Sequence, residues 1–342
     1  RMKIQNVSDL EELLSRPRDA DAGAMADLKG DLLILGVGGK MGPSLARLAQ
    51  RAADKAGVRR RIVAVARFSN PELPKELHAQ GIETISCDLL EPGALDRLPE
   101  IPNVIFMAAR KFGSSGAEHL TWAMNTYLPG LVAERYRSSR IVAFSTGNVY
   151  PLRTAAEGGA TEATPVGPIG EYAQSALGRE RMFEYGSSRY GTPVTILRLN
   201  YAVELRYGVL LDIGRAVFER SPVQLSMPLV NVIWQGDANS WCLRSFAHCQ
   251  SPPFVLNITG PETLSVRDLA AEFGKHFGVD PLFGPEVHDS TSLLNNAAKA
   301  NSMFGTPSVT PSEMVDWIAD WIRQGGTMLN KPTHFQTRDG KF

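Results

Sequence analysis

Cysteine is scarce in this chain. Cys87, Cys242 and Cys249 are scattered and odd in number, which excludes a disulfide framework and offers no zinc-ligand spacing. Reduced, buried thiols in a cytoplasmic protein are the expectation. An excess of one charge is also missing. Lys+Arg and Asp+Glu both number 36, so no net field recommends nucleic acid or an anionic membrane surface as partner. No apolar run approaches the ~18 residues of a membrane helix, and the first residues show no signal-peptide core. The six histidines stand at no metal-like spacing, and no internal repeat or low-complexity segment is present. Metal, membrane and nucleic acid are therefore not expected. At 342 residues the chain has room for one large domain and a smaller lobe.

What the chain does have is a glycine turn. Residues 32–42 read Leu-Leu-Ile-Leu-Gly-Val-Gly-Gly-Lys-Met-Gly, an apolar strand running into Gly36, Gly39 and Gly42. The first glycine permits a tight turn, the second removes a Cβ from the path of a pyrophosphate, and the third lets the next helix pack on the sheet. Free N–H groups and the positive helix end then face the phosphates. Gly38, Lys40 and Met41 belong to the same cradle. An amphipathic helix carrying Leu45, Leu48, Ala49 and Ala52 follows, the context a dinucleotide fingerprint requires.

Strand and helix patterns alternate beyond this turn. Apolar strands are expected at 31–36, 61–67, 82–87, 103–108, 140–145 and 193–199, with helices near 7–15, 40–56, 71–79, 117–137 and 170–187. Continuous apolar strands separated by helices imply a parallel sheet covered on both faces. Past Asn200 the pattern becomes irregular. Helices are expected near 208–220, 236–247, 264–276 and 311–324, and strands near 228–234 and 253–258. The expected division is a dinucleotide-binding domain over 1–200, with 1–30 as a helical extension. A substrate lobe over 201–330 follows, some of its segments returning to the main sheet, and then a polar tail over 331–342. Asp237 is expected to cap the helix that follows it.

The second strand ends Ala64-Val65-Ala66-Arg67-Phe68-Ser69-Asn70, without the carboxylate that selects the free ribose hydroxyls of NAD. Arg67 is placed to pair with a 2′-phosphate, with Ser69 in support, so NADP is favoured over NAD. The third strand ends Cys87-Asp88-Leu89, where Asp88 can accept from an adenine amino group.

The glycine turn, Asp88-Leu89, the Ala108-Ala109 pair, Asn125, the run Ser145-Thr146-Gly147-Asn148-Val149-Tyr150 and Tyr172 occur in that order. In this combination the chain resembles the extended short-chain dehydrogenase/reductases, the NAD-dependent epimerase/dehydratase family, from Leu32 to about Trp321. The segment Leu256-Asn257-Ile258-Thr259-Gly260-Pro261-Glu262-Thr263-Leu264-Ser265 fits as well. The resemblance implies an α/β fold, a Rossmann-type doubly wound parallel sheet with a smaller C-terminal α/β substrate lobe. It also implies a homodimer packed through the helices near 117–137 and 170–187.

The family's chemistry uses a Ser/Thr and a Tyr-x-x-x-Lys pair. By resemblance, Thr146 hydrogen-bonds the reacting oxygen and Tyr172 carries the proton while hydride moves to or from nicotinamide. Here the motif reads Tyr172-Ala173-Gln174-Ser175-Ala176, and the lysine is missing. An unperturbed tyrosine is only ~0.1% ionised near pH 7, so a substitute cation is sought, and Lys111 at the rim of the fourth strand is the candidate. Asn148, Asn200, Tyr201 and Arg206 are candidates for the substrate wall. The family's Arg-x-x-Asn and Gly-Pro are altered in Arg198-Leu199-Asn200-Tyr201-Ala202-Val203, and Gly147-Asn148 replaces the Asp-Glu of its 4,6-dehydratases. Two functional classes remain. One is an NAD(P)-dependent oxidoreductase or epimerase acting on a sugar, sugar acid or nucleotide sugar. The other is a catalytically reduced member that binds dinucleotide as a structural or regulatory ligand. An epimerase with tightly held NAD fits Arg67 and the 198–203 segment less well.

Overall fold

Side-chain alternation along a run of buried strands sorts the core into two faces. In the computed structural model, which describes residues 3–113, 115–285 and 288–342, β1 (Leu32–Leu35), β2 (Ile62–Ala66), β3 (Glu83–Ser86), β4 (Asn103–Phe106), β5 (Arg140–Thr146) and β6 (Val194–Leu199) pair in parallel. Two further strands, β7 (Ala202–Val203) and β9 (Ile233–Trp234), pair with each other. So do β8 (Leu229–Val230) and β11 (Leu264–Ser265). The remaining strand, β10 (Phe254–Ile258), returns from the later part of the chain to lie parallel to β6. The seven-stranded order is β10-β6-β5-β4-β1-β2-β3.

The helices are α1 (Val7–Leu14), α2 (Asp19–Asp27), α3 (Gly42–Lys55), α4 (Glu72–Ala79), α5 (Glu118–Trp122), α6 (Leu128–Arg135), α7 (Gly170–Tyr190), α8 (Val209–Phe218), α9 (Gln235–Arg244), α10 (Val266–Phe277), α11 (Ala298–Phe304) and α12 (Pro311–Arg323). Leu32, Ile34, Ile62 and Ala64 face a layer built on α2, α3 and α9. Leu33, Leu35, Val63 and Val65 face α6 and α7. This is the period-2 consequence of a strand buried on both sides. A separate apolar cluster gathers α8, α10 and α12 around Trp234, Trp317 and Trp321. None of the described helices is long and apolar enough to cross a membrane.

Several local expectations change. The helix expected over 117–137 is interrupted by a π turn at Ala123–Tyr127, because Pro129 brings no N–H to the ladder. Within the helical extension expected over 1–30, α2 was not placed as a separate helix, and α11 was not expected. The α2 segment, Asp-Ala-Asp-Ala-Gly-Ala-Met-Ala-Asp, carries no apolar stripe to announce it. Asp237 is not a helix cap. Buried inside the first turn of α9, it accepts from Arg18, from Ser308 Oγ at 2.9 Å, and from the backbone N–H of Ser308 and Val309 at 3.0 and 3.3 Å. It thus ties the N-terminal extension to the loop before α12. The tail is ordered: Arg338 donates to the Ser226 and Thr291 carbonyls, and Thr333 donates to Asp212.

Candidate functional site

Strand order reverses between β1 and β4, and ligands of open α/β sheets bind in the crevice at such a point. Here the two loops nearly touch. Gly36 has φ +93°, and a Cβ on it would stand 2.5 Å from the Ala108 nitrogen. A Cβ on Gly42 would fall 2.0 Å from the Val37 carbonyl oxygen, so α3 starts hard against the turn. Gly39 differs from both: a Cβ there would meet nothing closer than the Gly36 oxygen at 4.0 Å. Gly39 is therefore not needed for packing, and its bare face opens outward at the start of a helix, where a pyrophosphate fits. Gly38 is also exposed, with its Cβ position 3.2 Å from Ala66 Cβ. Met41 is a core residue whose carbonyl accepts from Leu45 and Ser44. Along the rim, Arg67 is exposed after β2 and its carbonyl accepts from Ser86 Oγ. Asp88 Oδ1 accepts from Leu90 N at 3.0 Å, Leu89 is buried, and Ala109 lies exposed beyond buried Ala108.

The proton-transfer candidates sit beyond this crevice. Thr146 ends β5, and its Oγ1 both donates to Asn148 Oδ1 at 3.0 Å and accepts from Asn148 N at 3.1 Å. Asn148 thereby orients the hydroxyl. Tyr172 lies in the first turn of α7. Loss of solvation raises the pKa of its phenol, while the charge of Arg179 and a hydrogen bond with Thr146 pull it down. Lys111 Nζ stands 5.5 Å from the Tyr172 ring centroid and 4.2 Å from that of Phe342. Burial lowers its pKa to about 8. Phe342 meets the Tyr172 ring edge-on at 5.7 Å, so the tail folds over the site.

Other candidates are engaged elsewhere. Lys40 does not stay with the phosphate turn. Its Nζ donates to the Ala202 carbonyl at 3.0 Å and lies 3.7 Å from the Tyr207 ring centroid, and burial lowers its pKa to about 7 against the pull of Glu204. Arg206 is committed to Glu11 at 2.7 Å and Glu204 at 3.1 Å. It closes α1 onto the lobe instead of standing open to a substrate. Asn200 Nδ2 donates to Asn231 Oδ1 and the Leu293 carbonyl, a structural use. Tyr201 is a strained residue at φ +45°, and burial raises its phenol pKa.

The sequence reading named Asn125, Tyr150, Arg198 and Asn257 without their contacts, and it missed Glu180 and Asn295 altogether. Asn125 sits in the π turn and clasps the Arg110 backbone through both amide atoms, with N and O each at 2.8 Å. This holds the loop leading to Lys111. Glu180 is buried, takes Arg198 bidentately at 2.9 and 2.7 Å, and accepts from Ser145. Arg198 also donates to Tyr150, whose hydroxyl reaches Asn257 at 2.7 Å. That network locks β5, β6, β10 and α7 behind Thr146. Asn295 is buried with neither amide atom hydrogen-bonded, its Oδ1 2.3 Å from where a Gly147 Cβ would be. The bonds that bring these residues together span 15 to 107 positions, beyond the reach of any local spacing. Among the described residues no group of three His, Cys, Asp or Glu could hold a metal.

Sheet order, crevice and glycine turn define a dinucleotide-binding α/β fold. The sequence profile of the NAD dependent epimerase/dehydratase family matches residues 32–203, half of the chain, and the chain belongs to that family. No curated protein matches it in sequence. Among solved structures it is similar to a mutant UDP-glucuronic acid 4-epimerase from Bacillus cereus in complex with UDP-4-deoxy-4-fluoro-glucuronic acid and NAD. That likeness has a TM-score of 0.73 and 17% identity, covering 86% of this chain and 99% of the other. It is also similar to UDP-glucose 4-epimerase from Thermotoga maritima with UDP-glucose (TM-score 0.69, 16% identity, 86% and 99% covered). A third is UDP-glucose 4-epimerase from Thermus thermophilus with NAD (TM-score 0.70, 18% identity, 86% and 99% covered). At such identities the likeness is one of fold.

Proposed function

We propose that the protein is an NAD(P)-dependent oxidoreductase or epimerase acting at a carbinol or carbonyl carbon of a sugar, sugar acid or nucleotide sugar. The observation that carries this reading is the Thr146 hydroxyl held by Asn148 at the end of β5, with the Tyr172 phenol beside Lys111 at the start of α7, since a mere scaffold needs neither hydroxyl. When bound, the dinucleotide supplies a carbon that accepts or returns hydride. Gly36, Gly38 and Gly39 with the start of α3 would hold its pyrophosphate, and Asp88 and Leu89 its adenine end. Thr146 holds the reacting oxygen, and Tyr172 exchanges the proton with it. Arg67, exposed where a ribose-binding carboxylate is missing, supports a preference for NADP. The exposed Tyr127 and Tyr185, 61% and 63% accessible on the π turn and α7, support a homodimer through these helices.

A panel of nucleotide sugars, free sugars and sugar acids, offered with NAD and with NADP, tests the proposal. Turnover of one class, reduced ~100-fold in Tyr172→Phe with dinucleotide affinity unchanged, is the expected result. The second reading, a dinucleotide-binding member without catalysis, rests on Ala176 in place of lysine. It prevails if dinucleotide binds and no substrate turns over.

A further inference from the structure

Position 176 holds no cation and has no room prepared for one. The Ala176 methyl is buried in a small apolar cluster with Val149, Tyr150 and Ala160. One turn further along the same helix, Arg179 is only 3% exposed. Its guanidinium donates to the Phe144 carbonyl at 2.8 Å and to Asn125 Oδ1 at 3.0 Å. Both acceptors are neutral, and Arg179 makes no salt bridge among the described residues. The adjacent Glu180 is occupied by Arg198. The Nε of Arg179 is buried with no hydrogen-bond partner. A buried, unpaired guanidinium with an orphaned donor is a costly way to fill space, which an apolar residue would fill better.

The level at which this charge sits follows from the hydrogen bonds. Side chains on a helix lean toward its N-terminus. Asn125, which accepts from Arg179, donates to Ser175 Oγ at 3.0 Å, and Ser175 Oγ in turn donates to the Tyr172 carbonyl at 2.9 Å. The guanidinium is therefore drawn back along α7 toward Tyr172, seven residues earlier on the same face. We propose that Arg179 is the fixed positive charge that supports Tyr172 in place of the lysine missing at position 176, and so acts as a positioning residue for the proton-transfer step. The proposal rests on the reading of Tyr172 given above. After desolvation, which raises the phenol pKa, the charge of Arg179 is the largest influence on Tyr172, ahead of the Thr146 hydrogen bond. Lys111 is a poorer substitute: burial lowers its pKa to about 8, so its charge is lost as pH rises past that value, whereas a guanidinium stays protonated.

Among the described residues the groups facing Tyr172 are Lys111 from the loop after β4, Tyr207 from the lobe, Arg179 on its own helix, and the uncharged side chains of Thr146 and Phe342. The test reads Tyr172 directly. The full chain is labelled at tyrosine Cζ, the Tyr172 resonance is assigned by its loss in Tyr172→Phe, and its pH titration is followed by NMR without substrate. Arg179→Met is expected to raise the Tyr172 pKa by about one to two units, while Arg179→Lys leaves it within about half a unit. Each unit is a tenfold loss of tyrosinate at neutral pH. Where Arg179→Met does not fold, Arg179→Gln, which keeps donors for Phe144 and Asn125 without the charge, carries the test, with the same rise of about one to two units expected. An unmoved titration in Arg179→Met, an equal shift in the Met and Lys variants, or a larger shift in Lys111→Ala would overturn the assignment. So would a folded Arg179→Gln variant with its titration unmoved. A substrate panel with no turnover alongside the expected titrations would overturn the enzymatic reading alone.

Discussion

Replacing Gly39 by valine separates binding from folding. In the unliganded chain the new Cβ has its nearest neighbour at 4.0 Å, and Gly39 does not occupy the left-handed region of backbone space. The substitution therefore costs the apo-protein no more than an ordinary surface change, within about 0.5 kcal/mol or 1–2 °C in Tm. The pyrophosphate, by contrast, must approach the face the valine now covers. Losing two charge-assisted contacts from backbone N–H groups, at about 1.5–3 kcal/mol each, weakens dinucleotide by about 3–6 kcal/mol, a factor of roughly 10² to 10⁴ in Kd. Calorimetric titration with NAD and NADP, beside thermal scans of the apo-protein, measures both quantities. Gly42→Val is the control: its Cβ would lie 2.0 Å from a backbone oxygen, and a loss of about 3 kcal/mol or more in stability is expected. Normal dinucleotide binding by folded Gly39→Val would refute the cradle and leave the glycine turn a purely structural one.

Three further outcomes follow from individual residues. Arg67→Ala weakens NADP by ~1–3 kcal/mol, the scale of a hydrogen bond to a charged group, and leaves NAD nearly unchanged. Equal losses for both cofactors in calorimetry would sink the NADP preference. Asp237→Ala leaves a part-exposed Arg18 without its carboxylate and strips acceptors from Ser308 and Val309, so denaturant unfolding should show a loss of about 2–3 kcal/mol. A loss below 1 kcal/mol would mean that the tie is ornamental. Lys40 has a folded pKa of about 7, below its unfolded value near 10.5. The unfolded chain thus holds the extra proton between those limits, and stability rises with pH across that window. Lys40→Met abolishes that rise, so its Tm relative to the parent should be more favourable at pH 6 than at pH 10, and a pH-independent difference would contradict it.

The strands of the main sheet and the glycine turn were legible because their signals are local, whereas the two-residue strands β7 and β11 were not. An apolar run of four to seven residues buries itself on both faces wherever it sits, and Gly36, Gly39 and Gly42 act within one turn. Thr146 and Tyr172 could be singled out for the same reason, each standing inside a short recognisable string. Local order also misled. Lys40 stands within the glycine turn yet bonds the Ala202 carbonyl, 162 residues away. Arg206 looked open to a ligand yet pairs with Glu11.

The amino-acid order by itself determined the doubly wound sheet and the place of the crevice, through periodicity and through backbone freedom at glycine. Tertiary structure alone decided the charges around the crevice. A buried cation is fixed by whichever acceptors the fold brings within about 3 Å, and for Arg179 those are Phe144 and Asn125, 35 and 54 positions earlier in the chain. The loss of lysine at position 176 is visible in the sequence. Its candidate substitute shows only when α7 is laid against β5 and the π turn, because electrostatic support depends on distance in space and not on spacing along the chain.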